Sequence, residues 1–244
     1  MNRAVREFFG LLWALVIAII IQTFLFQPFY VPSASMYPTL EVGDFFVASK
    51  FSYGYSVYSL PWYHPKVFSG RIWEGQPTVG QVLAFNGEPT STDDYIKRCV
   101  GVPGDRVQMI QGLLHINGVS AKVERIDDYL YVDPRKPGEV KVFPQYIETL
   151  PNGVAHRIVK EKPFGEAQFD NTQEFVVPAG HYFMVGDNRD NSWDSRAMSP
   201  IGFVPAEKLI GPAQFLWFST EAKWYEPQKW LTSMRFNRFF TWIR

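Results

Sequence analysis

Three polar stretches carry residues able to do chemistry. The first is PSASMYPTL, Pro32 to Leu40. Pro32 and Pro38 fix φ and keep the segment out of a central strand, so Ser35 falls on a stiffened turn. A nucleophilic hydroxyl needs one held orientation, which such a turn supplies; an ordinary Pro/Ser loop would carry the same residues. The second is DYIKRCVGVPGDRV, Asp94 to Val107. On a strand Tyr95, Lys97 and Cys99 share one face, and Ile96, Arg98 and Val100 the other. A lysine among an aromatic ring and a thiol loses hydration, which disfavours its charged form and lowers its pKa. The alternative is a lysine reaching water from a strand edge. The third is GDNRDNSWDSR, Gly186 to Arg196, dense in Asp, Asn, Ser and Arg. The loop lacks the glycine at position six and the acid at position twelve of an EF-hand. Mixed charges at that density read as a self-paired scaffold that freezes a loop and presents one or two groups from it.

Other chemistries find little support. There is no HExxH, no CxxC pair, no GxSxG elbow and no SxxK spacing, and the four histidines are scattered, so neither metal nor cofactor is expected. A Ser-His-Asp triad stays open, although no histidine stands in a setting that marks it out. Lys+Arg 24 equals Asp+Glu 24, so nothing pulls the whole chain toward nucleic acid. The single Cys99 excludes an intrachain disulfide.

The elements that must position these residues begin with an anchor. No charge occurs from Phe8 to Leu40, and Phe8 to Phe26 is almost wholly apolar. As a helix that run spans about 28 Å, close to the hydrocarbon thickness of a bilayer. A cleaved secretory signal would also be apolar, and Ser33-Ala34-Ser35 supplies small residues. The run exceeds a signal core, so the helix is expected to stay. Arg3 and Arg6 precede it and Glu41 and Asp44 follow, which places the N-terminus in the cytoplasm and the bulk outside. No later segment is long enough to span, so a single pass is expected.

Beyond the anchor the pattern is mainly β. Strands are expected over Phe45–Ser52, Gln81–Phe85, Asp94–Val102 and Phe175–Gly186, with a hairpin at Asn117-Gly118. Residues 124–174 hold 17 charges in 51 and read as a solvated β-rich insertion facing away from the membrane. The domain boundaries follow: anchor 1–27, a first half 28–123, the insertion 124–174, a second half 175–222, and an aromatic, basic tail 223–244. Wound as a helix, that tail gives no clean amphipathic stripe. It suits either packing on the domain or a place among lipid headgroups.

Taken in order after an anchor, PSASMYPTL, GDFFVASKFSYG, YIKRCVGVPGDRV and GDNRDNSWDSR resemble the sequence boxes of bacterial type I signal peptidases (leader peptidases). The resemblance covers roughly half the chain. It implies an antiparallel β catalytic domain with a smaller inserted β-rich domain, in a membrane-anchored serine endopeptidase. Such an enzyme removes signal peptides from exported preproteins after small residues at −1 and −3, on the outer, periplasmic side of the inner membrane. Its implied partners are preprotein signal peptides, membrane lipid and the export machinery, with no nucleic acid. By position, Ser35 matches the nucleophile, Lys97 the general base, and Ser192 the serine that orients the lysine. Ser33 matches the hydroxyl that forms the oxyanion hole with the Ser35 N–H. Phe29, Val31, Met36, Tyr95 and Ile96 fall where the family lines its S1 and S3 pockets. Three departures stand out. Many relatives have two spans, the insertion has no cysteine for the disulfide some relatives carry, and Trp193 follows Ser192 where a small residue is common. Cys99 reads as a pocket-lining residue rather than a catalyst.

Overall fold

The computed structural model describes residues 2–59, 69–87, 94–132, 140–199, 201–222 and 226–244. Part of the insertion (133–139) and the first three tail residues (223–225) lie outside that range. Helix α1 (Arg3–Phe24) buries none of its residues and contains an 18-residue window of mean hydropathy 2.2, long and apolar enough to cross a membrane. It ends earlier than its apolar run. Strand β1 (Phe26–Tyr30) begins inside the segment expected to be anchor and pairs with β2 (Asp44–Ser49), Phe29 opposite Phe46. Pro28 is tolerated because β1 is the sheet's edge.

The remaining strands are β3 (Val82–Asn86), β4 (Asp94–Gly101), β5 (Arg106–Ile110), β6 (Leu113–Ile116), β7 (Val119–Ser120), β8 (Lys122–Arg125), β9 (Tyr129–Val132), β10 (Val140–Phe143), β11 (Gln145–Thr149), β12 (Ala155–Val159), β13 (Phe175–Val176), β14 (His181–Val185), β15 (Val204–Pro205), β16 (Leu209–Ser219) and β17 (Thr241–Trp242). The main antiparallel sheet runs β1-β2-β16-β3-β4-β14-β15, with β17 added to β16. Smaller sheets are β13-β5-β6-β7, β12-β11-β8 and the hairpin β9-β10. The protein is therefore mainly β and antiparallel behind one apolar helix, as its sequence pattern implies. The Asn117-Gly118 turn has φ of 54° and 79°, the paired positive values of a tight hairpin.

Several expectations need correction. The stretch Phe45–Ser52 leaves the strand at Ser49 for a 3-10 turn over Lys50–Ser52. The stretch Phe175–Gly186 is two strands, split where Pro178 removes a donor and Gly180 takes a positive φ. Residues 124–174 also pack against the rest of the β structure. Tyr131 and Phe143 of the β9-β10 hairpin form a buried cluster with Tyr37, two residues past Ser35, and with Val159. The ring of Tyr131 lies 4.7 Å from that of Tyr37. The buried charges Glu148 and Lys160 reach into the Gly186–Arg196 loop, because ionised groups out of water need partners.

The tail is not a helix. It runs through 3-10 turns at Pro227–Lys229 and Phe236–Arg238 into β17. Its arginines turn inward rather than toward headgroups. Arg235 binds Glu41 at 2.7 Å, and Arg238 binds Asp44 at 2.6 Å and Glu41 at 3.0 Å. Phe236, Phe240 and Trp242 remain exposed.

Candidate active site

Ser35 sits on the turn after β1 and is 8% exposed. The residues behind it are its fixings. Met36 and Leu40 are fully buried in the main core, and Tyr37 is fully buried among the β9-β10 aromatics. Each such burial stabilises by about 1.5–3 kcal/mol, enough to hold the turn in one conformation. The backbone is clamped as well. Asn188 donates its N–H to the Ser35 carbonyl at 3.1 Å and its side-chain amide to the Ala34 carbonyl at 3.1 Å. Thr39 donates to Asp187 at 2.5 Å. The loop that looked self-paired from sequence thus clamps the turn that carries Ser35.

Lys97 arrives from β4, opposite Leu83 of β3. Its Nζ lies 2.7 Å from Ser35 Oγ and 3.0 Å from the Ile96 carbonyl, and the residue is buried. Leu83, Tyr95, Cys99 and Met184 pack together on the lysine's side of the sheet, as strand alternation requires. Burial lowers its pKa from 10.5 to about 8; Asp194 and Asp187 act the other way and Arg196 adds to the lowering. Among the described residues no carboxylate pairs with Lys97 directly. Cys99 on the same face is inert, its thiol bonded to the Gly101 carbonyl at 3.6 Å and its pKa pushed by burial up to about 12.

Ser35 Oγ has two side-chain neighbours, Lys97 and, at 3.3 Å, Ser33 Oγ. No described histidine is among them, so the open possibility of a histidine triad closes for these residues. His156 is instead buried with Nε2 3.2 Å from Glu148 and 3.9 Å from Asp187, its pKa pushed down by burial and by Arg98.

The structure places Ser192 beside this pair without the expected bond. Ser192 Oγ makes no hydrogen bond of ordinary geometry. Its hydroxyl does favour the ionised Asp194, whose carboxyl burial would raise but which Arg196 and the Gly186 N–H hold below the usual range. Gly186 explains the approach. A Cβ there would stand 2.1 Å from Ser192 Oγ and 2.5 Å from the Ser35 carbonyl oxygen, so only glycine lets the two come together.

The charges of the Gly186–Arg196 loop mostly pair outside it. Asp187 takes the fork of Arg98 at 2.9 and 2.7 Å, Arg189 pairs with Glu148, and Asp190 takes Lys160 at 2.7 Å. Only Asp194 and Arg196 pair within the loop, at 2.8 Å. These buried pairs fix geometry more than they add stability. Arg98 also reaches the Arg244 carbonyl at 3.1 Å, tying the tail to the strand that carries Lys97.

Beside Ser33 and Lys97 lies an open cleft of about 470 Å³, lined by Phe29, Tyr30, Pro32, Ser33, Phe46, Asp94, Tyr95, Ile96 and Lys97. Phe29 stacks on Phe46 at 5.2 Å, forming one wall. Of the five expected pocket residues, Phe29, Tyr95 and Ile96 line it. Val31 and Met36 do not; both are buried in the core beneath, where their side chains hold the turn. Tyr30, Phe46 and Asp94 were missed. Phe46 was discoverable, because β1-β2 pairing sets it opposite Phe29.

Fold and site together define a class: an antiparallel β protein behind an apolar helix, with a serine paired to a buried lysine at a cleft. Comparison with known proteins agrees. The family described as "Signal peptidase, peptidase S26" matches residues 5–218. Signal peptidase I of Rickettsia typhi (strain ATCC VR-144 / Wilmington) is 37% identical over 257 residues, covering 98% of this chain and 94% of its own. That of Rickettsia bellii (strain OSU 85-389) is 38% identical over 251 residues, covering 96% and 84%. A crystal structure of a signal peptidase I from Enterococcus faecalis V583 is 25% identical, covers 56% of this chain and 96% of that one, and superposes with a TM-score of 0.32. This chain belongs to the signal peptidase family, peptidase S26, and is a hydrolase of peptide bonds.

Proposed function

We propose that the protein is a membrane-anchored serine endopeptidase that removes signal peptides from exported preproteins with a Ser35–Lys97 dyad. The observation that carries this reading is the 2.7 Å contact between Ser35 Oγ and a buried lysine with no carboxylate partner. When Lys97 is neutral, its lone pair takes the Ser35 proton as Oγ attacks the scissile carbonyl. The developing oxyanion is received by the Ser35 N–H, which no described residue occupies, and by the Ser33 hydroxyl. Such a donor is typically worth about 3 kcal/mol in the transition state. Protonated Lys97 then donates to the leaving amine, and water releases the acyl-enzyme. Ser192, buried beside Asp194 with no hydrogen bond of ordinary geometry, is the hydroxyl available to orient the lysine during these transfers.

The cleft walled by Phe29, Tyr95 and Ile96 receives small side chains at −1 and −3. The N-terminus lies in the cytoplasm and the catalytic part on the outer face of the inner membrane. A signal peptide spans the same bilayer, so anchoring both molecules raises their effective concentration. Lipid contacts the exposed aromatics of the tail, and the export machinery delivers the substrate. Incubating a preprotein in detergent with the wild type and with Ser35→Ala tests the reading. Cleavage by the wild type alone is expected. An intact preprotein in both, under conditions where another signal peptidase cuts it, would favour a non-catalytic β module that binds an envelope partner.

A further inference from the structure

Trp193 is 54% exposed, yet it is held at every point a tryptophan can be held. Its backbone lies between Ser192 and the buried Asp194. Its Nε1–H donates to the Ser199 carbonyl at 2.6 Å. Its ring meets Phe169 edge-to-face, centroids 5.7 Å apart at 81°. Phe169 is fixed in turn by the Arg196 guanidinium 5.4 Å over its face, and Arg196 is fixed by Asp194. A rigid exposed aromatic offers contact area at little cost in conformational entropy.

The two rings wall a hollow of about 180 Å³ whose other sides are Ala167, Gln168, Arg189, Asp190, Asn191 and Ser192. The charges in that floor are already matched. Arg189 is paired with Glu148, and Asp190 accepts from Lys160 and from the Glu161 and Lys162 N–H groups. No free charge awaits a charged ligand, and a charged side chain entering would lose hydration without gaining a partner. The chemistry suits an uncharged, apolar side chain of about leucine size.

Its position relative to the nucleophile is set by Gly186, over which Ser192 Oγ and the Ser35 carbonyl converge. The large cleft is lined by Ser33 and Lys97, the two side chains beside Ser35 Oγ, and the hollow by Ser192. A peptide attacked at Ser35 must leave its acyl half on one side and its amine half on the other. We propose that the Trp193–Phe169 hollow is the subsite for an apolar side chain at one of the first two residues beyond the scissile bond. Trp193 and Phe169 are then specificity determinants on the mature side of the substrate. This rests on the peptidase reading above.

The test uses the full chain in detergent and a series of signal-peptide substrates that differ only at those two positions, with Gly, Leu or Asp at each in turn. The expected result is a kcat/KM for Leu about tenfold above that for Gly or Asp at one of the positions, the usual scale for filling an apolar subsite. Trp193→Ala should bring that ratio close to one. Trp193→Phe, which keeps a ring against Phe169, should retain most of it. A flat series in the wild type, or a Leu preference that survives Trp193→Ala, overturns the subsite while leaving the peptidase intact. A wild type that cuts none of the series, nor its parent preprotein, overturns both.

Discussion

Lys97 and Lys160 are both buried lysines within the same polar neighbourhood, and they are held in opposite ways. Lys160 Nζ is met by Asp170 at 2.8 Å and by Asp190 at 2.7 Å. Lys97 Nζ meets one hydroxyl and one carbonyl, neither of which bears charge. The first arrangement fixes an ammonium as a structural cation. The second makes the ammonium costly and the neutral amine accessible, which a base requires. Burial is common to both, so what separates the proposed base from a brace is that no described carboxylate meets Lys97 Nζ. Lys50 adds a third case, its pKa lowered to about 8 by burial with Nζ on the Ser59 carbonyl, but with no hydroxyl nucleophile at Nζ. A depressed pKa is therefore not sufficient without a reacting group beside it.

The largest expected effect comes from removing the base. Lys97→Arg keeps a cation that cannot deprotonate, and should lower peptide cleavage by about 10⁴-fold or more, as Ser35→Ala should. In the wild type the rate should rise about tenfold per pH unit up to about 8 and level off above, tracking neutral Lys97. The same depression has a stability sign. The folded state disfavours the lysine's proton, so the penalty is full below pH 8 and vanishes above the ordinary 10.5. Lys97→Met should consequently stabilise the inactive protein at pH 7 by up to about 3 kcal/mol in denaturant unfolding. A destabilised Lys97→Met, or an active Lys97→Arg, breaks the contrast.

Lys160→Ala should do the reverse. It strands two buried carboxylates and should cost about 3–5 kcal/mol of stability in the same unfolding experiment. Ser192→Ala should reduce kcat by on the order of ten- to a hundredfold, through lost orientation of the lysine. An unaltered kcat would leave Ser192 with packing over Gly186 as its whole role. The smallest effect belongs to Lys50→Met. The relief of its lowered pKa is largely offset by loss of the Nζ bond to the buried Ser59 carbonyl, so stability should rise by only about 0.5–1 kcal/mol at pH 7, with the pH–rate profile where it was.

The mainly β fold behind one apolar helix was legible in the sequence, and so was the company Lys97 keeps on its strand. Strand alternation alone put Lys97 with Tyr95 and Cys99, and the structure gives that face. The Asn117-Gly118 hairpin was legible because two positive φ values leave few residue choices. The helix end was not, since Leu25 and Phe26 are as apolar as the anchor, and only pairing with Ser49 makes a strand of Phe26. Hidden too were the partners of Asp187, Arg189 and Asp190, which lie 89, 41 and 30 positions away in Arg98, Glu148 and Lys160. Local composition carries no signal at such separations, which is why the loop looked self-paired. The partners of the tail's arginines were hidden for the same reason. Arg235 and Arg238 among aromatics resemble a headgroup motif until Glu41 and Asp44, nearly two hundred residues earlier, are seen beside them.

Only Leu25 separates the apolar helix from the first strand. The joint is tied on both sides of that residue, where the Lys50 N–H donates to the Leu25 carbonyl at 2.9 Å and Tyr55 OH to the Phe24 carbonyl at 2.7 Å. Ser35, ten residues further on, has no slack through which to rise or sink. If the helix is seated in a bilayer as proposed, the enzyme carries its own depth gauge. Substrates would be sorted by how far their scissile bond stands above the lipid as well as by the side chains that flank it, and it is the preprotein that must stretch or tilt to meet a fixed mark.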